Sequence, residues 1–151
     1  LFSIPDFRIN EKIFSVILKM RSITQKQFLL QTRSPETDVL VWGVKGNIMD
    51  FYRHEIENRK KFSFPPFSTF IKISFAGKKD EVLKAMEKLR ALLAGFHVDV
   101  FPAFIATVRG NYIMHALVKL SPGEWIHTEL LDRLKTLPPQ YAINVDPESI
   151  L

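Results

Sequence analysis

The period of apolar positions changes several times along this chain, and each change marks an element. Pro5-Asp6-Phe7-Arg8 reads as a turn. From Asn10 onward Ile13, Phe14, Val16, Ile17 and Met20 recur at helical spacing, which predicts an amphipathic helix capped by Asn10. The run Phe28-Leu29-Leu30, within residues 25–32, predicts a short buried strand that Ser34-Pro35 ends. Residues 35–63 predict two helices broken near Gly43–Gly46. The second has Asn47 as its cap and Ile48, Met49, Tyr52 and Ile56 as its apolar side. Phe64-Pro65-Pro66-Phe67 stops it, because neither proline can continue a helix.

From residue 67 the pattern alternates between strand and helix periods. Ile71, Ile73 and Phe75 alternate with Lys72 and Ser74 as in a half-buried strand. Asp80 then reads as the cap of a helix bearing Val82, Met86, Leu89 and Leu93, and Gly95 closes it. Residues 98–108 read as a strand interrupted at Pro102, followed by the hairpin signal Arg109-Gly110-Asn111. The next strand, 112–120, places Met114, Ala116, Val118 and Leu120 on one face. Ser121-Pro122-Gly123-Glu124 reads as a capping box with proline at the first helical position. Its helix carries Ile126, Leu130, Leu134 and Leu137 and ends at Pro138-Pro139; Tyr141, Ile143 and Val145 form a last strand. The predicted class is α+β. The order β-α-β-β-α-β with right-handed crossovers predicts a ferredoxin-like sandwich, a four-stranded antiparallel sheet with two helices on one face.

Composition narrows the function classes. A length of 151 residues with 46% hydrophobic and 25% charged residues excludes disordered and coiled-coil classes and allows one sizeable core. There is no Cys, which removes disulfides, thiolate zinc sites, iron–sulfur clusters and cysteine nucleophiles together and fits a reducing, cytoplasmic setting. No apolar run approaches the ~18 residues of a membrane span, so no membrane partner is expected. The first residue is Leu, and the expectation is a piece of a longer protein. The formal charge is +5 and uneven: residues 1–63 hold 11 Lys/Arg against 7 Asp/Glu, residues 64–151 hold 10 against 9. That tilts partners toward polyanions through the first half.

The candidate chemistry is correspondingly narrow. Neither G-x-x-x-x-G-K-[ST] nor G-x-G-x-x-G occurs, so no loop is expected to cradle a nucleotide. His54, His97, His115 and His127 lack ligand spacing, and His115 is read as a surface or structural residue. Asp146 and Glu148 read as a turn and a solvated tail rather than a cation site. No nucleophile–base pair and no metal site follow from spacing. What remains is phosphate binding, which needs only positive charge within reach. Arg53, Arg59, Lys60 and Lys61 around one helix end are the leading DNA contacts, with Lys72, Arg109 and Tyr112 as secondary ones. Arg109 to Met114 shares only its Arg-Gly start with the stacking octamer of RNA-recognition motifs, so a hairpin is the reading there and RNA a distant alternative. The phenylalanines of 62–75 are read as core and hinge packing, with a base-stacking platform as the alternative.

Several of these pieces, in this order, resemble the C-terminal end of primosomal protein N′, the PriA-type replication-restart DNA helicase family of bacteria. Pro5-Asp6-Phe7-Arg8 with Asn10-Glu11 and Phe14 is similar to the family's P-D-F-R-x-x-E-R-x-F stretch. Leu30-Gln31-Thr32 before Pro35 is similar to I-Q-T-x-x-P, and Glu55-Ile56, Arg59 and Pro65-Pro66-Phe67 to E-L-x-x-R…Y-P-P-F. Pro102-Ala103 before the hairpin and Val145-Asp146-Pro147 near the end resemble G-P-x-P-A-x-I and D-V-D-P. The resemblance implies three segments: 1–34 as a remnant of the second, RecA-like helicase lobe, 35–66 as a helical linker, and 67–151 as the family's C-terminal domain. It implies a role in DNA replication restart, with single-stranded or forked DNA, single-stranded DNA-binding protein and other primosome proteins as partners.

The departures shape the expectation as well. Where the family carries Q-V-x-G-R-A-G-R, this chain has Leu18 to Gln25 without that motif, so the lobe remnant is degenerate. The family's ATP, Mg and Zn are bound by parts this chain lacks, and it is not expected to hydrolyse ATP by itself. Ser121–Thr128 holds no arginine to grip a partner's carboxylate tail. The leading expectation is a non-catalytic DNA-binding and docking module of a replication-restart helicase. Its rivals are an interaction-only remnant without DNA affinity and the end piece of an active ATP-dependent helicase.

Overall fold

The computed structural model describes residues 6–123 and 127–151. It divides into two compact units, Leu1–Phe62 and Ser63–Leu151. Among the described residues the chain is α+β, with five helices and one four-stranded antiparallel sheet.

The first unit is helical: α1 (Ile9–Ser22), α2 (Asp38–Lys45) and α3 (Ile48–Lys61). Ile13, Phe14 and Ile17 of α1 pack with Val39 and Leu40 of α2 and Phe51 of α3. The rings of Phe14 and Phe51 stack with centroids 3.9 Å apart. The break between α2 and α3 falls where expected, at Gly46, whose φ of +72° is one that side-chain-bearing residues avoid. Asn47 caps α3 by accepting from the Asp50 amide.

Three expectations for this unit fail. Asn10 lies inside α1, whose cap position is Arg8; Asp6 instead accepts from the Arg8 amide at 3.2 Å. Phe28-Leu29-Leu30 forms no strand, and Leu29 is 79% exposed. A three-residue apolar run needs a neighbouring strand, and none is described in this unit. The third concerns α3, where Ile48, Met49, Tyr52 and Ile56 are exposed while Phe51 and Glu55 are buried. Aromatic stacking and an ion-pair network, described below, set the rotation of the helix. Pro5 lies outside the described residues, and Phe7-Arg8 form a turn.

The second unit contains β1 (Thr69–Gly77), α4 (Lys79–Leu92), β2 (Val98–Val108), β3 (Asn111–Leu120), α5 (Thr128–Lys135) and β4 (Ala142–Val145). Every paired neighbour is antiparallel and the strand order is β2-β3-β1-β4. One core joins Ile71 and Ile73 of β1, Met114, Ala116, Val118 and Leu120 of β3, and the apolar stripes of α4 and α5. Val82 and Leu89 in α4 are fully buried, as their helical spacing predicts. Tyr141 donates to the Ala85 carbonyl and packs on Phe75, tying the start of β4 to α4.

Helix starts again differ from expectation. Lys78 is the cap position of α4, and Asp80 sits in its first turn, where the helix dipole still favours a carboxylate. Pro122 and Gly123 form a turn with Gly123 at φ +93°, so proline does not open α5; the helix begins at Thr128 after His127. Glu124 and Ile126 lie outside the described residues.

Candidate nucleic-acid interface

The last turn of α3 is wholly basic, a composition the helix C-terminus favours electrostatically. Its three cations have different fates. The Arg59 guanidinium is committed: Nε donates to Glu55 Oε1 and Nη2 to Glu11 Oε2, each at 2.8 Å, and the group lies 5.9 Å from the Phe7 ring centroid. Arg8 donates two further bonds to Glu11. Arg8 beside it, then Arg59, holds the Glu11 carboxyl below its ordinary value despite partial burial. Lys60 and Lys61 remain exposed, with the Lys61 ammonium 5.4 Å from the Phe62 centroid. Arg53, two turns earlier, is exposed and 3.8 Å from the Asp50 carboxylate.

Lys72 on β1 is also committed, donating to the carbonyls of Ser149 and Leu151 at 2.9 Å each. It lies on the sheet face opposite the helices. There Phe70, His115 and Leu117 are buried, and Phe64 meets Phe70 edge-on at 6.2 Å. A nucleobase needs an uncovered ring to stack on. The middle of this face offers none, and Phe64, Phe70 and Phe75 pack internally, as the core-packing reading expects; Phe62, 55% exposed at the end of α3, departs from it. His115 is structural: its Nδ1 lies 2.8 Å from Ser74 Oγ, and burial, then Lys72, pushes its pKa below the ordinary 6.5.

That shift has a pH consequence. A histidine that stays neutral in the fold binds its proton more readily when unfolded, so stability is lost as pH falls through about 6.5. Urea midpoints measured from pH 7.5 down to 5.5 are expected to decline in the parent and to decline less in His115→Gln. Equal slopes would assign the decline to other groups.

Arg109 and Tyr112 belong to the β2–β3 hairpin. Arg109 (φ +49°) and Gly110 (φ +80°) form its tip, and Arg109 is exposed. Tyr112 shares the helix-covered side with Met114 and packs on the core, with the Lys79 ammonium 5.7 Å from its ring centroid. The structure therefore gathers Arg53, Arg59, Lys60 and Lys61 on one helix and Arg109 with Tyr112 on one hairpin, in different units. Sequence reasoning did not single out Phe104 and Ile105 of β2, which are 59% and 65% exposed. Their signal was an unbroken apolar run, Phe101 to Ala106, which a two-residue period cannot bury on one face.

No group of three or more His, Asp or Glu among the described residues could hold a metal ion, and no described helix is long and apolar enough to cross a membrane. An α+β unit with a basic helix end before it defines a nucleic-acid-binding candidate only by class. Comparison with known proteins goes further. The family model of the primosomal protein N C-terminal domain matches residues 60–148, and the chain belongs to that family. It is 25% identical to the replication restart protein PriA of Thermotoga maritima over 97% of its length, covering 21% of that protein. It is 31% identical to the PriA protein of Borreliella burgdorferi over 87% of its length, covering 22% of it. A third relative, from Chlamydia trachomatis serovar D, is 32% identical over 60% of this chain. The chain thus spans about a fifth of the length of the first two relatives.

Proposed function

We propose that this chain is a DNA-contacting, non-catalytic module of a bacterial replication-restart protein, acting on single-stranded or forked DNA in the cytoplasm. Membership of the primosomal protein N C-terminal domain family supports the restart role, together with relatives named replication restart protein PriA. The β-α-β-β-α-β order with strands arranged β2-β3-β1-β4 supports a ferredoxin-like reading of 67–151. Residues 1–34 are read as a lobe remnant and 35–66 as a helical linker. The observation that carries DNA contact is the end of α3, where Lys60 and Lys61 stay exposed while the adjacent Arg59 is held by carboxylates. Arg53 on the same helix and Arg109 on the hairpin extend the contact; Lys72, Arg59 and Tyr112 contribute through packing.

Lys60→Ala with Lys61→Ala is expected to weaken binding to all DNA sequences alike and to lower the salt slope by up to about two. Fluorescence anisotropy with labelled single-stranded and forked DNA reads both quantities. An unchanged slope would remove these lysines from the interface.

A second reading, an interaction module for primosome proteins or single-stranded DNA-binding protein, is favoured by the exposed apolar side of α3 and the near-neutral balance of residues 64–151. Partner capture that survives nuclease treatment would support it.

A further inference from the structure

The β2–β3 hairpin carries a feature that phosphate contact does not require. Pro102 pairs with Met114 and Thr107 with Tyr112, so residues 103–106 of β2 stand against the single residue Ile113 of β3. A bulge of this kind re-aims side chains away from the pleat. Here it sets Phe104 and Ile105 into solvent at 59% and 65% exposure, on a hairpin whose base is fixed by the buried Met114. The tip adds the exposed Arg109. Residues 100–123 contain Arg109 and Lys119 and no Asp or Glu; Asp99, at the start of β2, lies 3.1 Å from the Lys119 ammonium, so Arg109 is the cation at the far end of the hairpin.

An aromatic ring, an aliphatic neighbour and a cation, with no carboxylate between residues 100 and 123, match a flat apolar ring next to negative charge. An unpaired nucleobase with its phosphate has that chemistry. We propose that this hairpin is a base-stacking contact for single-stranded DNA. Phe104 takes the face of an unpaired base, Ile105 flanks it, and Arg109 meets the neighbouring phosphate. The inference rests on the DNA-contact reading and adds a base contact to the phosphate contacts of α3. The absence of acidic residues from the bulge to the tip, with Arg109 exposed there, favours a polyanion over an apolar protein groove as the occupant.

The test uses the whole chain and a short single-stranded oligonucleotide carrying 2-aminopurine. Binding of the parent is expected to change the emission of the probe. Phe104→Ala is expected to abolish that change and weaken affinity about tenfold at an unaltered salt slope, because a stacking contact releases no counterions. Phe104→Tyr is expected to restore both. Both substitutions are at an exposed position, so the fold is retained. Unaltered affinity and emission in Phe104→Ala, with the Lys60/Lys61 effect intact, would overturn the hairpin contact and leave the phosphate contacts standing. A slope reduced by Phe104→Ala, or binding of the oligonucleotide without any emission change, would also overturn it. Failure of the parent to bind DNA at all would overturn the DNA-contact reading and the hairpin with it.

Discussion

Phe70→Ala is expected to destabilise the sheet unit by about 4 kcal/mol, the cost of emptying a large aromatic site. Phe70 has no exposed surface, although it lies on the face of β1 that the helices leave uncovered. Phe64 closes over it edge-on, and the Lys119 ammonium lies 5.9 Å from its ring centroid. The Phe70 carbonyl also accepts from the Asp146 amide at 2.8 Å, which holds the end of β4 beside β1. Truncation removes the ring contacts and leaves this backbone bond without a packed neighbour. Hydrogen exchange reads the result locally: amides of the β1–β3 ladder are expected to lose about a thousandfold of their protection, the equivalent of that energy. Loss below about tenfold would mean that this face is loosely covered and open to a stacking ligand.

Arg59→Ala is expected to cost the helical unit about 3 kcal/mol, because removing one partner leaves a buried carboxylate uncompensated. The Arg59 and Glu55 side chains are 16% and 9% exposed, which keeps water from replacing the lost bond. Glu11 reports the same loss through pH. The stabilisation from its lowered pKa, caused first by Arg8 and then by Arg59, is present above the ordinary 4.5 and fades as pH falls below it. In the Arg59 variant that fading is expected to diminish. Trp42, packed edge-on to Phe51 at 6.5 Å, follows the unfolding of this unit in a Trp125→Phe background. The DNA salt slope is expected to stay as in the parent. A slope lowered by about one, with stability retained, would return Arg59 to the phosphate contacts.

Those two residues show what the sequence could and could not disclose. The strands of the second unit were legible because alternation such as Ile71-Lys72-Ile73 repeats only in a strand, and Arg109-Gly110 announces a hairpin. Helix starts were legible in part: Asn47 caps α3 as read, but Asn10 and Asp80 lie one position inside their helices, and a polar residue there looks like a cap. On α3 two apolar stripes compete, and the stacking of Phe51 on Phe14, with the Glu55–Arg59–Glu11 ion pairs, decides which turns inward. The same holds for charge. Arg59, Lys60 and Lys61 are equivalent in sequence, and what separates them is Glu11, 48 residues away, together with Glu55. Lys72 alternates correctly for a surface position, yet it anchors the carbonyls of Ser149 and Leu151. The apolar run Phe101 to Ala106 signals that some of its side chains stay unburied, but which ones depends on the uneven pairing of β2 with β3.

The central claim, DNA contact through an exposed basic helix end, is tested most directly by anisotropy titration of labelled single-stranded and forked DNA with the folded chain at about 50 and 200 mM salt. The account predicts binding at the lower concentration that weakens steeply at the higher one, as phosphate contacts require. Absence of binding at low salt, from protein whose fold is verified by circular dichroism, would contradict it.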